Sequence, residues 1–174
     1  LLLSIINNVL DMARIESGRM EIDENYGMIE DIWQTLFEIF DDEAEKKNIA
    51  LHYTINVEHE HILTDVTKVK EIFVNILSNT MKYTPSGGSV MINIDELPCS
   101  GPGYMIVRTR VSDTGIGMSE DFQKHLFELF AQEQKGGASK FGGTGLGMPI
   151  DMKLLVEIIA ELAGKIKIVR IKDE

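Results

Sequence analysis

Four side chains on one stretch of this 174-residue chain could do chemistry together: Glu71, Asn75, Asn79 and Lys82. If the run from Glu71 to Tyr83 is helical, a turn of about 100° per residue brings them within roughly 80° of one another. One side of the helix then offers a carboxylate, two amides and an ammonium, and Ile72, Phe73, Ile76 and Leu77 form a core side. Asparagine is a poor helix former, so two inside a buried helix need a reason. Amide oxygens suit Mg²⁺, which takes few protein ligands beside phosphate and water oxygens. Lys82 is a natural phosphate partner. The plain alternative is a pair of solvated or backbone-bonded asparagines.

Two glycine-rich motifs follow. Asp113-Thr114-Gly115-Ile116-Gly117-Met118 comes directly after an alternating strand. Glycine supplies positive φ and lets a ligand approach the backbone, and an aspartate there can accept a hydrogen bond from an exocyclic amine. An ordinary Asx turn would explain the same residues. The run Phe141-Gly142-Gly143-Thr144-Gly145-Leu146-Gly147-Met148-Pro149-Ile150 opens a helix. Glycines before a helix N-terminus expose amide donors, and the helix dipole favours an anion there. Pro149 fits the first helical turn. No Lys-Ser or Lys-Thr follows the glycines, so this is not a Walker loop. No βαβ unit surrounds it, so it is not a dinucleotide fingerprint. A flexible connection is the alternative to a phosphate cradle.

The elements that must position these residues are legible from periodicity. Residues 1 to about 17 read as the end of an amphipathic helix, with Gly18 as a stop, followed by a short extended segment at 20–26. Residues 28–47 form a helix with an acidic outer face that ends in Lys46 and Lys47. Ile49 to Val57 alternate as a strand. Thr64 or Asp65 caps the helix that runs to Tyr83, and Ser86-Gly87-Gly88 is a turn. Val90 to Ile94 and Met105 to Val111 pair as a hairpin. A short helix spans about Glu120 to Phe130, a last one about Met148 to Ala163, and a final strand Ile166 to Ile171. Eight of the 15 glycines fall between Gly115 and Gly147. This order predicts an α+β two-layer sandwich: a mixed, mostly antiparallel sheet with helices on one face.

Charge and composition narrow the classes. With 17 Lys and Arg against 28 Asp and Glu, the formal charge is −11. That argues against a nucleic-acid partner, which would need a basic face, and against docking on anionic lipid by charge alone. The single cysteine, Cys99, excludes an internal disulfide and a Cys-rich zinc site. No apolar run nears the roughly 20 residues of a membrane span, and no signal-peptide pattern opens the sequence. A cytoplasmic chain is expected. The acidity is uneven: residues 1–71 hold 6 basic and 16 acidic side chains, and residues 72–174 hold 11 and 12. The glycine-rich half is therefore nearly neutral, and Lys82, Lys135 and Lys140 lie toward its phosphate side. Distant surface charge is screened beyond roughly 8–10 Å, so an anionic ligand is compatible with this chain.

In this order and spacing the motifs resemble the ATP-binding catalytic domain of sensor histidine kinases, within the superfamily that includes DNA gyrase, the large heat-shock chaperones and the mismatch-repair ATPases. Asn75 to Asn79 through Lys82-Tyr83-Thr84-Pro85 is similar to the family's N box. Asp113 to Met118 is similar to its first glycine box, Phe127-Glu128-Leu129-Phe130 to its F box, and Gly143 to Gly147 to its second glycine box. Ile6 to Gly18 resembles the end of the helical hairpin that precedes this domain. The resemblance implies a Bergerat-type fold with residues 1–18 as the hairpin's end and residues 19–174 as the catalytic domain. It implies that Asp113 bonds the adenine amine and that Asn79 ligates Mg²⁺ with Asn75 assisting. Lys82 and Tyr83 would contact phosphates or ribose, Gly115 and Gly117 would floor the adenine pocket, and Met118 is a further nucleotide contact. Residues 131–142 would form a mobile lid. Phe130, Lys140, Gly143, Thr144, Gly145, Leu146 and Gly147 complete the nucleotide contacts, the amides of the last glycine box facing the phosphates. ATP and Mg²⁺ are the implied cofactors. ATP or ADP, the protein's own dimerisation and phosphoacceptor domain, and a response regulator receiver domain are the implied partners, with the parent a homodimer.

The departures from the family are specific. His52, His59, His61 and His125 lack the context of a phosphoacceptor histidine and read as surface or loop histidines. Leu129 replaces a common Pro, the last helix is about one turn longer than usual, and the chain stops before the usual final strand. The first residue is Leu and the chain opens inside a helical pattern, so a piece of a longer sensor is expected, with a membrane-anchored parent left open. Hydrolytic relatives carry a Glu general base four residues before the metal-binding Asn. Here that position is Asn75, an amide that cannot take a proton from water. Phosphoryl transfer to a protein histidine is therefore favoured over hydrolysis, with Glu71 the only candidate for a rescuing base. The chain is expected to bind Mg-ATP without phosphorylating itself. The competing readings are a nucleotide-sensing pseudokinase module and an ATPase.

Overall fold

The computed structural model describes residues 10, 13–15, 17, 19–99, 105–128, 131 and 148–149, and the backbone of 165–168. Among the described residues nine elements follow in order: β1 (Asn25–Met28), α1 (Ile29–Lys47), β2 (Ala50–Asn56), β3 (His61–Thr64), α2 (Val66–Tyr83), β4 (Ser89–Leu97), β5 (Ile106–Asp113), α3 (Glu120–Lys124) and β6 (Lys165–Ile168). Residues 10 and 13–15 are helical too, and Ile15 is buried in the common core. The rest of the opening helix, including Gly18, lies outside the described residues.

The main sheet is mixed, in the order β2-β4-β5-β6. The hairpin β4–β5 is antiparallel, with Val90 opposite Asp113 and Leu97 opposite Ile106. The pairs β2–β4 and β5–β6 run parallel. A parallel neighbour needs a crossover of a dozen or more residues, and β3 with α2 supplies one between β2 and β4. The remaining two strands, β1 and β3, form a separate antiparallel ribbon.

Spacing explains the helices. In α1 the residues Ile29, Ile32, Trp33, Leu36, Phe37, Phe40 and Ala44 are buried along one stripe, and Glu30, Asp31, Glu38, Asp41 and Asp42 face out. Asn48 ends the helix in the left-handed region at φ 54°, a conformation asparagine tolerates, and its N–H closes on the carbonyls of Ala44 and Glu45. Trp33 lies 4.5 Å from Phe73 and Phe37 stacks 3.6 Å from Tyr53, centroid to centroid. These contacts tie α1 to α2 and to the sheet. One core joins these stripes to Val90, Ile92 and Ile94 on the inner face of β4. Burying each large side chain contributes about 1.5–3 kcal/mol.

The outer sheet face is polar. Thr54 donates to Asn93 (2.8 Å), and Asp95 accepts from Asn56 (3.1 Å) and Arg108 (3.2 Å). Those two donors hold the Asp95 carboxyl below its ordinary range. Nearby, Glu96 accepts from the backbone N–H groups of Glu58 and His59, both at 2.9 Å, and pairs with the His59 ring at 2.7 Å. The backbone N–H of His59, and then its ring, hold the Glu96 carboxyl below its ordinary range, and the Glu96 carboxylate raises His59. Among the described residues no helix is long and apolar enough to cross a membrane.

Candidate functional site

The helix α2 begins at Asp65, whose side chain accepts from the backbone N–H of Lys68 at 2.9 Å and from that of Asp23 at 3.1 Å. Val69, Ile72, Phe73, Leu77, Thr80 and Met81 are buried. The opposite side presents Glu71, Asn75, Asn79 and Lys82, as the spacing predicts. Asn75, Asn79 and Lys82 are half-buried, Glu71 is exposed, and Tyr83 is 37% exposed. The Lys82 ammonium sits 5.0 Å from the centre of the Tyr83 ring. Glu71 is ion-paired with Lys68 at 2.8 Å. It lies eight residues before Asn79, about 12 Å along the helix axis, and so is separated from the amide that would hold the metal.

The helix ends because Thr84 is extended (φ −86°, ψ 123°) ahead of Pro85. The turn that follows carries the chain into β4, and here the separate motifs meet. The N–H of Thr114 donates to the Ser89 carbonyl at 3.0 Å, and the Thr114 hydroxyl accepts from the Ser89 N–H at 2.9 Å. The Ile116 N–H donates to the carbonyl of Tyr83, the last residue of α2, at 3.2 Å. A Cβ on Gly115 would stand 2.8 Å from that carbonyl oxygen and 2.6 Å from Asp113 Oδ1, so only glycine allows the approach. Gly117 has φ +64°. The Asp113–Met118 motif is thus docked on the C-terminal turn of the helix that carries the asparagines.

Asp113 ends β5 half-buried, and its Oδ1 accepts from the Gly115 N–H at 2.9 Å. Met118 is half-buried, and its carbonyl accepts from the Gln123 side chain at 3.0 Å. Ser119 caps α3 by accepting from the Phe122 N–H. That helix is shorter than expected: it stops at Lys124, with His125 as its C-cap, and continues as turns in which His125 pairs with Glu128 at 2.7 Å. Met148 and Pro149 are helical, with Pro149 buried. Phe130, Lys140, Gly143, Thr144, Gly145, Leu146 and Gly147 lie outside the described residues, as do Leu129, most of the expected lid at 131–142 and the helix beyond Pro149.

The donor set can be weighed for a metal. Among the described residues no group of three or more His, Cys, Asp or Glu side chains could hold an ion. Asn75 and Asn79 are one helical turn apart on one face. Two neutral oxygens suit Mg²⁺ when phosphate and water supply the rest of its shell. His52, His59, His61 and His125 are all exposed.

Sequence reasoning missed the clasp between Thr114 and Ser89, and the tight packing at Gly88. A Cβ on Gly88 would meet Thr84 Cγ2 at 2.6 Å, Pro85 O at 2.9 Å and Thr114 Oγ1 at 2.9 Å. Gly87, at φ +84°, already explained the turn, so the second glycine carried a signal that was not used.

Comparison with known proteins gives consistent results. The model of the family described as histidine kinase-, DNA gyrase B-, and HSP90-like ATPase matches residues 64–173. The chain is 36% identical over 154 residues to hybrid signal transduction histidine kinase D of Dictyostelium discoideum, covering 86% of this chain and 10% of that protein. It is 32% identical over 159 residues to the autoinducer 2 sensor kinase/phosphatase LuxQ of Vibrio parahaemolyticus serotype O3:K6, covering 91% and 18%. The crystal structure of full-length ShkA in complex with AMPPNP is similar at a TM-score of 0.71 and 28% identity, over 89% of this chain and 30% of that one. The chain spans less than a fifth of these two curated relatives.

Proposed function

The chain belongs to the family of histidine kinase-, DNA gyrase B- and HSP90-like ATPases, and on that premise we propose that it binds Mg-ATP and donates the γ-phosphate to a histidine of a two-component sensor kinase. In this reading residues 19–174 are the catalytic domain and residues 1–18 the end of the dimerisation and phosphoacceptor hairpin. The adenine amine donates to Asp113, Gly115 and Gly117 floor the base, and Met118 is a further nucleotide contact. Asn79, with Asn75, would hold Mg²⁺, and the charge neutralisation that ion supplies would favour the developing phosphate charge. Lys82 and Tyr83 contact the phosphates or ribose, and the amides of residues 143–147 cradle the terminal phosphate beneath a lid at 131–142.

In phosphoryl transfer the protein mainly positions groups and neutralises charge. The imidazole nitrogen of the acceptor forms the new P–N bond as the bond from the γ-phosphorus to the ADP oxygen breaks. None of the four exposed histidines has an acceptor's sequence context, so the nucleophile comes from the dimerisation domain. A response regulator receiver domain then takes the phosphoryl group, and the parent protein works as a cytoplasmic homodimeric assembly. Hydrolysis is the weaker reading, because Asn75 stands where a general base would be needed and Glu71 is paired with Lys68.

The junction of Tyr83 with Gly115 and Ile116 carries this reading. It fastens the candidate adenine-binding carboxylate to the helix with the candidate metal amides. Calorimetric titration with Mg-AMPPNP tests it. The wild-type chain should give saturable heat, and Asp113→Asn, which offers the base a mixed donor and acceptor, should bind at least about tenfold more weakly, the loss of one charge-assisted hydrogen bond. No heat from the wild type would refute nucleotide binding, and undiminished binding by the variant would refute the role of Asp113.

A further inference from the structure

We propose that Lys47, the last residue of α1, is a positioning residue that sets Lys82 on the phosphate side of the site, an inference that rests on the nucleotide reading above and deepens it. The last four carbonyls of a helix have no N–H of their own helix to accept from, and in α2 these belong to Thr80, Met81, Lys82 and Tyr83. Thr80 O accepts from the Thr84 N–H at 3.0 Å and from the Thr84 hydroxyl at 2.8 Å. Tyr83 O accepts from the Ile116 N–H at 3.2 Å. The Met81 carbonyl would look four residues on, to position 85, and Pro85 has no N–H to give. Met81 is 0% exposed, so water does not take that place, and a buried carbonyl without a donor is destabilising. The donor comes from the neighbouring helix instead: Lys47 Nζ donates to Met81 O at 3.3 Å.

The Met81 carbonyl and the Lys82 N–H belong to one planar peptide unit. Holding that carbonyl fixes the plane from which the Lys82 side chain departs, and the Lys82 ammonium in turn rests 5.0 Å from the centre of the Tyr83 ring. The reach of Lys47 is itself set by the backbone. Asn48 O accepts from the Gly87 N–H at 2.8 Å, and the Ala50 N–H donates to Gly88 O at 2.9 Å, so the chain after α1 is sewn to the turn after Pro85. Glu43, one helical turn back, pairs with the Lys47 ammonium at 2.6 Å. A cation here also suits the negative end of the α2 dipole. Removing the ammonium frees the Met81–Lys82 peptide to tilt, and Lys82 loses its fixed direction.

The test is calorimetry with Mg-AMPPNP on wild type, Lys47→Met, Lys47→Arg, Lys82→Ala and the double variant Lys47→Met/Lys82→Ala, with melting temperatures measured alongside. Lys47→Met keeps the aliphatic stem and loses the donor, and should bind roughly three- to tenfold more weakly, the weight of one hydrogen bond. Lys47→Arg keeps a cationic donor and should restore most of the affinity. In the Lys82→Ala background the same Lys47→Met change should cost less than about twofold, because the side chain it positions is gone. An equal loss in both backgrounds would mean that Lys47 acts through its charge or through general stability, and would overturn the proposal. So would no recovery by arginine, a Lys82→Ala variant that binds as the wild type does, or a methionine variant that fails to fold while the arginine variant folds. A wild type that binds Mg-AMPPNP no better than Lys47→Met would overturn it while leaving nucleotide binding intact. A wild type that does not bind Mg-AMPPNP would overturn the nucleotide reading itself.

Discussion

An asparagine inside a helix costs about half a kcal/mol relative to alanine, and α2 carries two of them a turn apart, half-buried beside the C-terminal turn that receives the Asp113 motif. Helix stability gives no reason for that choice, whereas metal ligation does. Replacing Asn79 with Ala should therefore leave the fold intact or slightly steadier. Its affinity for AMPPNP should become nearly the same with Mg²⁺ as with EDTA, a loss of at least about tenfold in the metal-dependent part. Calorimetry in the two buffers reads this directly, and a variant that keeps the wild-type Mg²⁺ dependence would show that the metal is held elsewhere. At this scale the chain was readable where residue type is costly out of context: misplaced asparagines, an aspartate ending a strand, glycines beside it. The Thr114 clasp was unreadable, because a threonine after an aspartate costs nothing by itself and its partner, Ser89, is 25 residues away.

At the scale of elements, α2 works as a rod that must be fixed at both ends. Its C-terminus is held by the Tyr83 junction and its N-terminus by Asp65, a side chain 5% exposed that bonds two backbone N–H groups, those of Lys68 and Asp23. The negative charge also favours the helix N-terminus. Asp65→Ala should lower unfolding stability by about 1–3 kcal/mol, the sum of a lost cap and an orphaned donor, as read by urea denaturation. Stability within a few tenths of a kcal/mol of wild type would contradict the capping role. Long elements with strong periodicity were visible in sequence. The helix expected at 28–47 is Ile29–Lys47, and the alternating runs are β2, β4 and β5. Among the short elements, α3 and β6 were expected near their places, but β1 was expected only as an extended segment at 20–26 and β3 not at all. The strand β3 has four residues with Ile62 as its only inward aliphatic, and β1 has Gly27 in its middle, where a Cβ would strike Val66 at 2.7 Å. Neither has enough period-2 signal to register, because each is held by its partner and by α2 instead of by its own pattern. The parallel pairings were also hidden, since alternation tells which face a residue takes and says nothing of strand direction.

Across the whole molecule, charge and chemistry are separated. The acidic side chains crowd the first 71 residues, above all the outer face of α1, and the remainder is close to neutral. The sheet is polarised as well. Asp113 and the Ser89 clasp sit at one end of the β4–β5 hairpin, and the Asn56, Asp95, Arg108 and His59–Glu96 contacts sit at the other. The nine residues from Ser89 to Leu97 put the two ends about 25 Å apart. The charge split and the hairpin were both apparent in the sequence, but that the hairpin brings Asp113 back to the end of α2 follows only from the pairing of Val90 with Asp113. A titration of Mg-AMPPNP followed in two-dimensional amide spectra uses this polarity most directly. The backbone signals of Asn79, Tyr83, Asp113, Gly115 and Gly117 should move most, with those of Asn56, Asp95 and Arg108 nearly still. A titration that leaves the first group unmoved, or moves the second group more, would contradict a nucleotide seated between α2 and the end of β5.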